Sequence, residues 1–286
     1  KKHADTRIYL YKHYLDFLNR YKPKFFVFEN VKGLLSFKDI SGDLLFPKII
    51  SEFKKNGYQI HYKIINASEY GVSQNRERLI LVGFRNDLLL SECFFEFLKN
   101  YKEDAPNLKE LFEDLPAVNQ GGKSNKYKKK ASSEFVRKYI RNEKDVLIQH
   151  VARPHNANDL KIYKLVLKAK NKGKNLTYTD IPAELQTHSN KHSFLDRYKA
   201  LNKDSLSHTI VAHISKDGHY YIHPDLQQNR SITVREAARI QGFPDSFYFE
   251  KSRTAAFRQI GNAVPPILAY KIASAIVDFF KKSTIV

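Results

Sequence analysis

The stretch KPKFFVFENVKGLL, Lys22 to Leu35, decides how the rest of the chain is read. Four consecutive apolar residues, Phe25 to Phe28, are what a strand buried on both faces requires. The run then ends on an acid and an amide, Glu29 and Asn30, and breaks at Gly33. In an open parallel sheet, ligands bind outside the carboxyl ends of the strands, so an acid placed there is aimed at a site. The bland alternative is that Glu29 caps the next helix or pairs with a lysine. On the tripeptide alone, that alternative is favoured.

Around this stretch the chain alternates helix and strand. Residues 7–21 place Ile8, Tyr11, Leu15 and Leu18 on one amphipathic stripe, closed by Pro23. Helix then strand is half of a parallel α/β repeat, so a parallel sheet covered by crossover helices is expected. Leu45, Ile49, Ile50 and Phe53 form a second helical face, stopped by Gly57. Tyr58, Ile60, Tyr62 and Ile64 alternate as a strand does, and Leu79 to Phe84 is a second apolar strand. From 86 to 229 periodicity is poor, and the basic run Lys123 to Lys144 falls here. A structureless loop of that length is improbable, so a small separate domain is expected. Order returns with Thr233 and Glu236, a capping box that opens a helix through Ala237, Ala238 and Ile240. Leu268, Ile272, Ile276 and Phe279 make a last apolar stripe after a proline pair.

Composition sets outer bounds. The 286 residues are 42% apolar, with no apolar run long enough to cross a bilayer and no signal-peptide core at the start. The single cysteine, Cys93, excludes a disulfide framework and any cysteine-based zinc site, and points to a reducing cytoplasm. A formal charge of +19 suits a polyanionic partner and equally suits a lysine-rich proteome; composition leaves both open. The pairs His188/His192 and His219/His223 have metal-like spacing, but no cysteine or acidic cluster completes a site, so no metal is expected. There is no methionine, even at position 1, which suggests a trimmed chain or the ordered part of something longer.

Four motifs stand in a fixed order: Glu29-Asn30-Val31 after a strand, Gln74-x-Arg76-x-Arg78 before one, Arg235-Glu236-x-x-Arg239 ending in Gly242-Phe243-Pro244, and Gly261-Asn262-Ala263-Val264-Pro265-Pro266. With the Asp5-x-Arg7-x-x-Leu10 stretch at the front, they cover the chain apart from its middle. In this order the chain resembles the DNA (cytosine-5)-methyltransferases. The resemblance implies a Rossmann-like α/β fold of the S-adenosylmethionine-dependent methyltransferases, with the C-terminal half of the sheet present, and a smaller irregular target-recognition domain. The expected divisions are 1–88 catalytic, 89–250 target recognition, and 251–286 returning to the catalytic domain. The implied reaction is methyl transfer from S-adenosylmethionine to carbon 5 of a cytosine flipped out of duplex DNA, in a restriction-modification setting.

The resemblance also assigns residues. Carbon 5 of cytosine is a weak nucleophile, and members of this family activate it by adding a cysteine thiolate at carbon 6. Glu29, with Asn30 beside it, matches the acid that contacts N3 and the exocyclic amine. Arg78 reaches O2, and Arg76 supports the pocket. Alternation with period two expects Gln74, Arg76 and Arg78 on one strand face. Asn262, Ala263 and Val264 are candidates for contacting the cofactor. Thr209 and the residues Ser215 to Tyr221, among them Lys216, His219 and Tyr220, would face DNA, with Lys128 and Lys129 of the basic run on phosphates. Arg235, Glu236 and Arg239, at helical spacing, read better as a buried ion-pair frame than as catalysts.

Three family features have no match: the Phe-x-Gly-x-Gly cofactor loop, the acid that binds the cofactor ribose, and the Pro-Cys pair. Cys93 lies past the Gln-Arg-Arg motif in an apolar setting and reads as packing. An upstream polypeptide carrying the cofactor loop and thiolate is therefore an expected partner, beside duplex DNA and with no membrane. The rival is a non-catalytic DNA-binding subunit or pseudo-enzyme of the same fold, against which intact Glu29, Arg76 and Arg78 argue.

Overall fold

The computed structural model of the protein describes residues 6–88 and 92–283, so Asp5 of the front stretch lies outside the described residues. The chain forms two compact units: Lys1–Ala67, Glu77–Lys102 and Tyr270–Val286 make one, and Ser68–Arg76 with Glu103–Ala269 make the other. By compactness the first unit runs on to Lys102, and the second takes in Ser68–Arg76 and reaches Ala269.

In chain order the first part of the fold is α1 (Leu10–Tyr21), β1 (Phe25–Val31), α2 (Leu45–Lys55), β2 (Tyr58–Asn66), the short β3 (Gln74–Asn75), β4 (Glu77–Arg85) and α3 (Phe94–Lys99). There follow α4 (Leu108–Leu111), β5 (Lys123–Ser124), β6 (His150–Val151), α5 (Ala157–Asn171), β7 (Ser207–His208), α6 (Val234–Gln241), α7 (Arg253–Asn262) and α8 (Pro266–Ser283). Helix α1 ends with Lys22 in the left-handed region, its N–H returning to the Leu18 carbonyl, before Pro23 turns the chain into β1. Helix α2 ends at Asn56, and Gly57 takes the positive φ that follows, as the sequence suggested.

The sheet of the first unit keeps β1 and β2 in the same direction, joined through α2, but corrects the parallel expectation at β4. Its order is β1-β4-β2, and β4 runs antiparallel to both neighbours. The cause is the connection: β2 ends at Asn66 and β4 starts at Glu77, so only residues 67–76 join them. A parallel return needs a crossover of a dozen residues or more. Strand β4 is buried on both faces, with Leu79, Ile80, Leu81, Val82 and Phe84 fully enclosed. Leu79 and Leu81 join Phe26 of β1 and the inward stripes of α1 (Leu15, Leu18) and α2 (Phe46, Ile49, Phe53). On the opposite face Phe84 meets Phe279 of α8 at 4.8 Å, and Phe279 packs edge-on to Phe94 and Phe97 of α3.

The second unit has little regular sheet. Strands β5 and β6 pair antiparallel, β3 and β7 pair parallel, and each is two residues long. One of its cores is Ile162, Tyr163, Val166 and Leu167 of α5 against Tyr178, Ile181, Ala200 and Ile222. Another expectation is corrected at the C-terminal end. By length and composition Arg253–Lys282 is apolar enough to cross a bilayer, with 44% of its most apolar part buried within the protein. The chain there is two helices, broken at Ala263 to Pro265, which bury Phe257, Ile260, Leu268, Ile272 and Ile276.

Register in the first sheet brings one ring against backbone with no room to spare. Phe26 lies opposite Gly83, and a Cβ added at Gly83 would stand 2.1 Å from the Phe26 ring. That ring is wedged between Phe53 at 4.9 Å and Tyr58 at 5.1 Å, so it has no room to yield. Gly83→Ala is therefore expected to destabilise the protein by about 1–3 kcal/mol, the usual range for overpacking a core. Phe26→Leu in the same chain should recover part of the loss. Urea denaturation measures both; an unchanged midpoint for Gly83→Ala alone would contradict the contact.

Candidate active site

Glu29 and Arg78 are the predicted site residues that the first unit brings together. Arg78 at the start of β4 lies opposite Val31, and Glu29 lies opposite Ile80, so the two are diagonal neighbours on one sheet face. The Arg78 Nε–Glu29 Oε1 distance is 2.9 Å, with side-chain exposures of 13% and 26%, enclosed enough to hold geometry and open enough to be reached. Arg78 also donates from Nη1 to the Glu77 carbonyl at 2.8 Å. Asn30 is not brought to the same place. Successive strand residues point to opposite faces, and Asn30 Oδ1 accepts from the Val31 N–H at 2.8 Å.

Gln74 and Arg76 do not continue this face, because the strand is interrupted at Arg76. Both are buried within the second unit. Arg76 donates to the carbonyls of Ile210 (2.7 Å), Gly261 (3.2 Å) and Ala263 (3.1 Å). Gln74 accepts from the Ile210 N–H at 2.8 Å and donates to the Ile240 carbonyl and Gln241 Oε1. Gln241 in turn donates to the Ala263 carbonyl at 2.7 Å. The two residues thus tie together three backbone segments. Helix α7 ends inside this lattice, and Gly261 is obligatory there: an added Cβ would lie 2.3 Å from the Ala212 nitrogen. Asn262 is exposed, Val264 is 37% exposed, and the carbonyl of Ala263 is committed to Arg76 and Gln241.

The segment from Thr209 to Tyr221 is held from behind. Thr209 donates to the Asn75 carbonyl and its own carbonyl accepts from the Tyr221 hydroxyl at 2.8 Å. Ser215 is buried and Lys216 exposed. His219 Nδ1 lies 2.7 Å from the Tyr163 hydroxyl, and Tyr220 donates to Asp196 at 2.9 Å. Sequence reading missed Arg153, a buried guanidinium that donates to the Ile214 and Lys216 carbonyls and so shapes the turn. Within the basic run, Lys128 is exposed, but Lys129 is taken by Glu113 at 3.1 Å. The lone thiol also departs from expectation. Cys93 is exposed at the start of α3, not packed, because the apolar residues around it belong to the helix that follows.

Arg235, Glu236 and Arg239 are the buried ion-pair frame that their helical spacing suggested. All eight residues of α6 are buried, and Thr233 and Glu236 close the capping box in both directions. Arg239 reaches Asp114 and Asp245, each at 2.5 Å, and Arg230 grips both oxygens of Glu236 at 2.8 Å. Arg235 is satisfied mainly by the carbonyls of Ile148, Pro244 and Phe247. Asp114 carries no readable signal, since its partner Arg239 lies far along the chain, and sequence reading also left out Arg230 and Asp245, each six residues from its partner. His223 lies against this frame, 3.5 Å from Glu236, and burial lowers its pKa to about 4. Glu236 is itself held below the usual carboxylate range: burial opposes its charge, but Arg230 and His223 outweigh that cost.

With this geometry in place, comparison with known proteins defines the class. A family model for C-5 cytosine-specific DNA methylases matches residues 1–278, and the chain belongs to that family. It is 39% identical over 293 residues to the type II methyltransferase M.Bpa9945I of Bacillus paralicheniformis, covering 96% of this chain and 64% of that protein. It is 29% identical to the type II methyltransferase M.DdeI of Desulfomicrobium norvegicum, covering 99% of this chain and 69% of that one. The chain therefore spans about two thirds of the length of these relatives. Among solved structures, a prophage-encoded E. coli protein described as a DNA modification methyltransferase superposes with a TM-score of 0.69 at 25% identity, over 97% of this chain and 75% of that one. The mixed α/β fold is that of the S-adenosylmethionine-dependent DNA cytosine methyltransferases.

The buried frame has a pH signature. His223 titrates near 6.5 when unfolded and near 4 when folded, so its contribution is present above pH 6.5 and is lost as pH falls toward 4. Glu236, also lowered on folding, removes further stability below its ordinary carboxylate range. The thermal midpoint should fall between pH 6.5 and 4, and His223→Gln should flatten that slope. An equally steep slope in the variant would show that His223 is not responsible.

Proposed function

We propose that the chain carries the cytosine-binding acid and the target-recognition unit of a DNA (cytosine-5)-methyltransferase that acts in a restriction-modification system. The observation that carries the proposal is the Glu29–Arg78 pair, 2.9 Å apart at the end of β1 and partly open to solvent. A flipped cytosine offers a donor and acceptor edge that an acid and a guanidinium match: Glu29 would meet N3 and the exocyclic amine, and Arg78 would meet O2. Addition of a thiolate at carbon 6 pushes negative charge into the ring, and these two groups would stabilise it where it develops. S-adenosylmethionine supplies the electrophilic methyl group. The exposed side chains of Asn262 and Val264 are free to border it, while the carbonyl of Ala263 is already engaged and Arg76 acts as support rather than as a contact.

In this reading Cys93 is not the attacking thiolate. Cys93 precedes Phe94, whose N–H donates to His61, and His61 lies opposite Val82 on β4. Arg78 is four residues along the same strand, about 13 Å away at roughly 3.3 Å per residue. Cys93 thus starts a helix that docks near the Val82 end of β4 rather than near Arg78. Recognition of duplex sequence falls to the second unit, through Lys216, Tyr220 and their neighbours, with Thr209, Ser215 and His219 holding the segment in shape.

Two measurements test this. In the catalytically competent protein, Glu29→Ala should leave affinity for duplex DNA within a few-fold and lower methyl transfer by about a hundredfold or more, the scale of a lost acid–base partner. Near-normal turnover would reduce Glu29 to a structural partner of Arg78. Duplex DNA with 5-fluorocytosine at the target should be trapped covalently on a thiol other than Cys93, and Cys93→Ser should leave trapping unchanged. Loss of trapping in that variant would overturn the assignment.

A further inference from the structure

The geometry of α5 points to a second polyanion-binding surface, a lysine stripe that we propose grips the phosphate backbone of duplex DNA outside the target sequence. Lys161, Lys164 and Lys168 are exposed on α5, and Lys172 continues the row at the helix end. Spacings of three, four and four keep all four on one side of the helix, over about 16 Å at 1.5 Å per residue. The buried residues Ile162, Tyr163, Val166 and Leu167 occupy the opposite side, so the stripe points directly away from the core.

An ordinary solvated helix face mixes both signs of charge. This one does not. Residues 157–174 hold six lysines and a single acid, Asp159. Lys164 and Lys168, and Lys168 and Lys172, stand at the four-residue spacing at which like charges repel. None of the four stripe lysines is ion-paired to a described carboxylate, whereas lysines elsewhere are: Lys48 with Asp39 and Asp43, Lys99 with Glu96, Lys129 with Glu113, and Lys138 with Glu103. The last two belong to the basic run from which phosphate contacts were expected. Part of that run is neutralised internally, and the stripe is not. A linear polyanion relieves the repulsion along α5. A bilayer surface fits poorly, because an interfacial helix must expose its apolar side, and here that side is buried.

The inference rests on duplex DNA being the substrate, and the experiment separates the two claims. Fluorescence anisotropy with a 30-base-pair duplex is measured across salt for the wild type, for Lys161→Gln/Lys164→Gln/Lys168→Gln, and for Lys129→Gln/Lys138→Gln. At about 0.9 per neutralised phosphate, the stripe variant should lose about 2–3 units of log–log salt slope and the other variant less than 1. Preference between target and non-target duplexes should not change, since phosphate contacts carry no sequence information. The Lys→Arg triple variant, which keeps the charge, should retain the slope, and all variants should keep the wild-type thermal midpoint. An unchanged slope in the Gln variant, an equal loss in both Gln variants, or a loss in the Arg variant overturns the stripe. A wild type that fails to bind duplex DNA, or prefers double-stranded RNA of the same length, overturns the DNA reading itself.

Discussion

The close approach of Phe26 to Gly83 constrains the sheet of the first unit. It goes with one register of β1 on β4, and register in a sheet buried on both faces admits no slip, because one residue of shift turns every side chain to the other face. In the observed register Phe26 points into the core with Leu79 and Leu81, and Glu29 comes onto the face of Arg78. Shifted by one, Glu29 would enter the aromatic core between α1, α2 and the sheet. The site is thus a consequence of how an apolar strand must be packed.

The second unit solves a different problem. With strands two residues long it has no sheet to order it, and it uses charge instead. Arg239 on Asp114, and Arg230 on the Val118 carbonyl, join segments more than a hundred residues apart, while Asp245 and Glu236 pair with them locally. Buried pairs of this kind add little net stability, because desolvation offsets the Coulombic gain, but removing one partner leaves a charge stranded and costs about 3–5 kcal/mol. They specify one arrangement of loops. Gln74, Arg76 and Gln241 do the same with neutral carbonyls at the end of α7.

Local signals were legible in the sequence. The stripes of α1, α2 and α8 and the capping box at Thr233 follow from short-range patterns, whereas the roles expected of Glu29 and Arg78 rest on the order of the motifs along the chain. What failed depended on distant partners or on the path of the chain. The direction of β4 is set by a connection too short for a crossover, which helix-then-strand reasoning overlooked. Asn30 was read beside Glu29, although alternation along a strand separates them. Helix α5 was lost in a stretch of poor average periodicity, yet Asn156 capping Asp159 and the spacing of Ile162, Tyr163, Val166 and Leu167 mark it. Cys93 was assigned the burial of its neighbours, but it precedes their helix.

Glu29 and Arg78 are central because they are proposed to act on one base as a unit, and a double-mutant cycle tests that directly. Methyl transfer by the competent protein is measured for Glu29→Gln, Arg78→Lys and the double variant, with DNA affinity followed in parallel. Groups acting together on one developing charge give strongly non-additive losses, so the double variant should be little slower than the worse single one. Losses that multiply, as they do for independent sites, would contradict a shared role at the base.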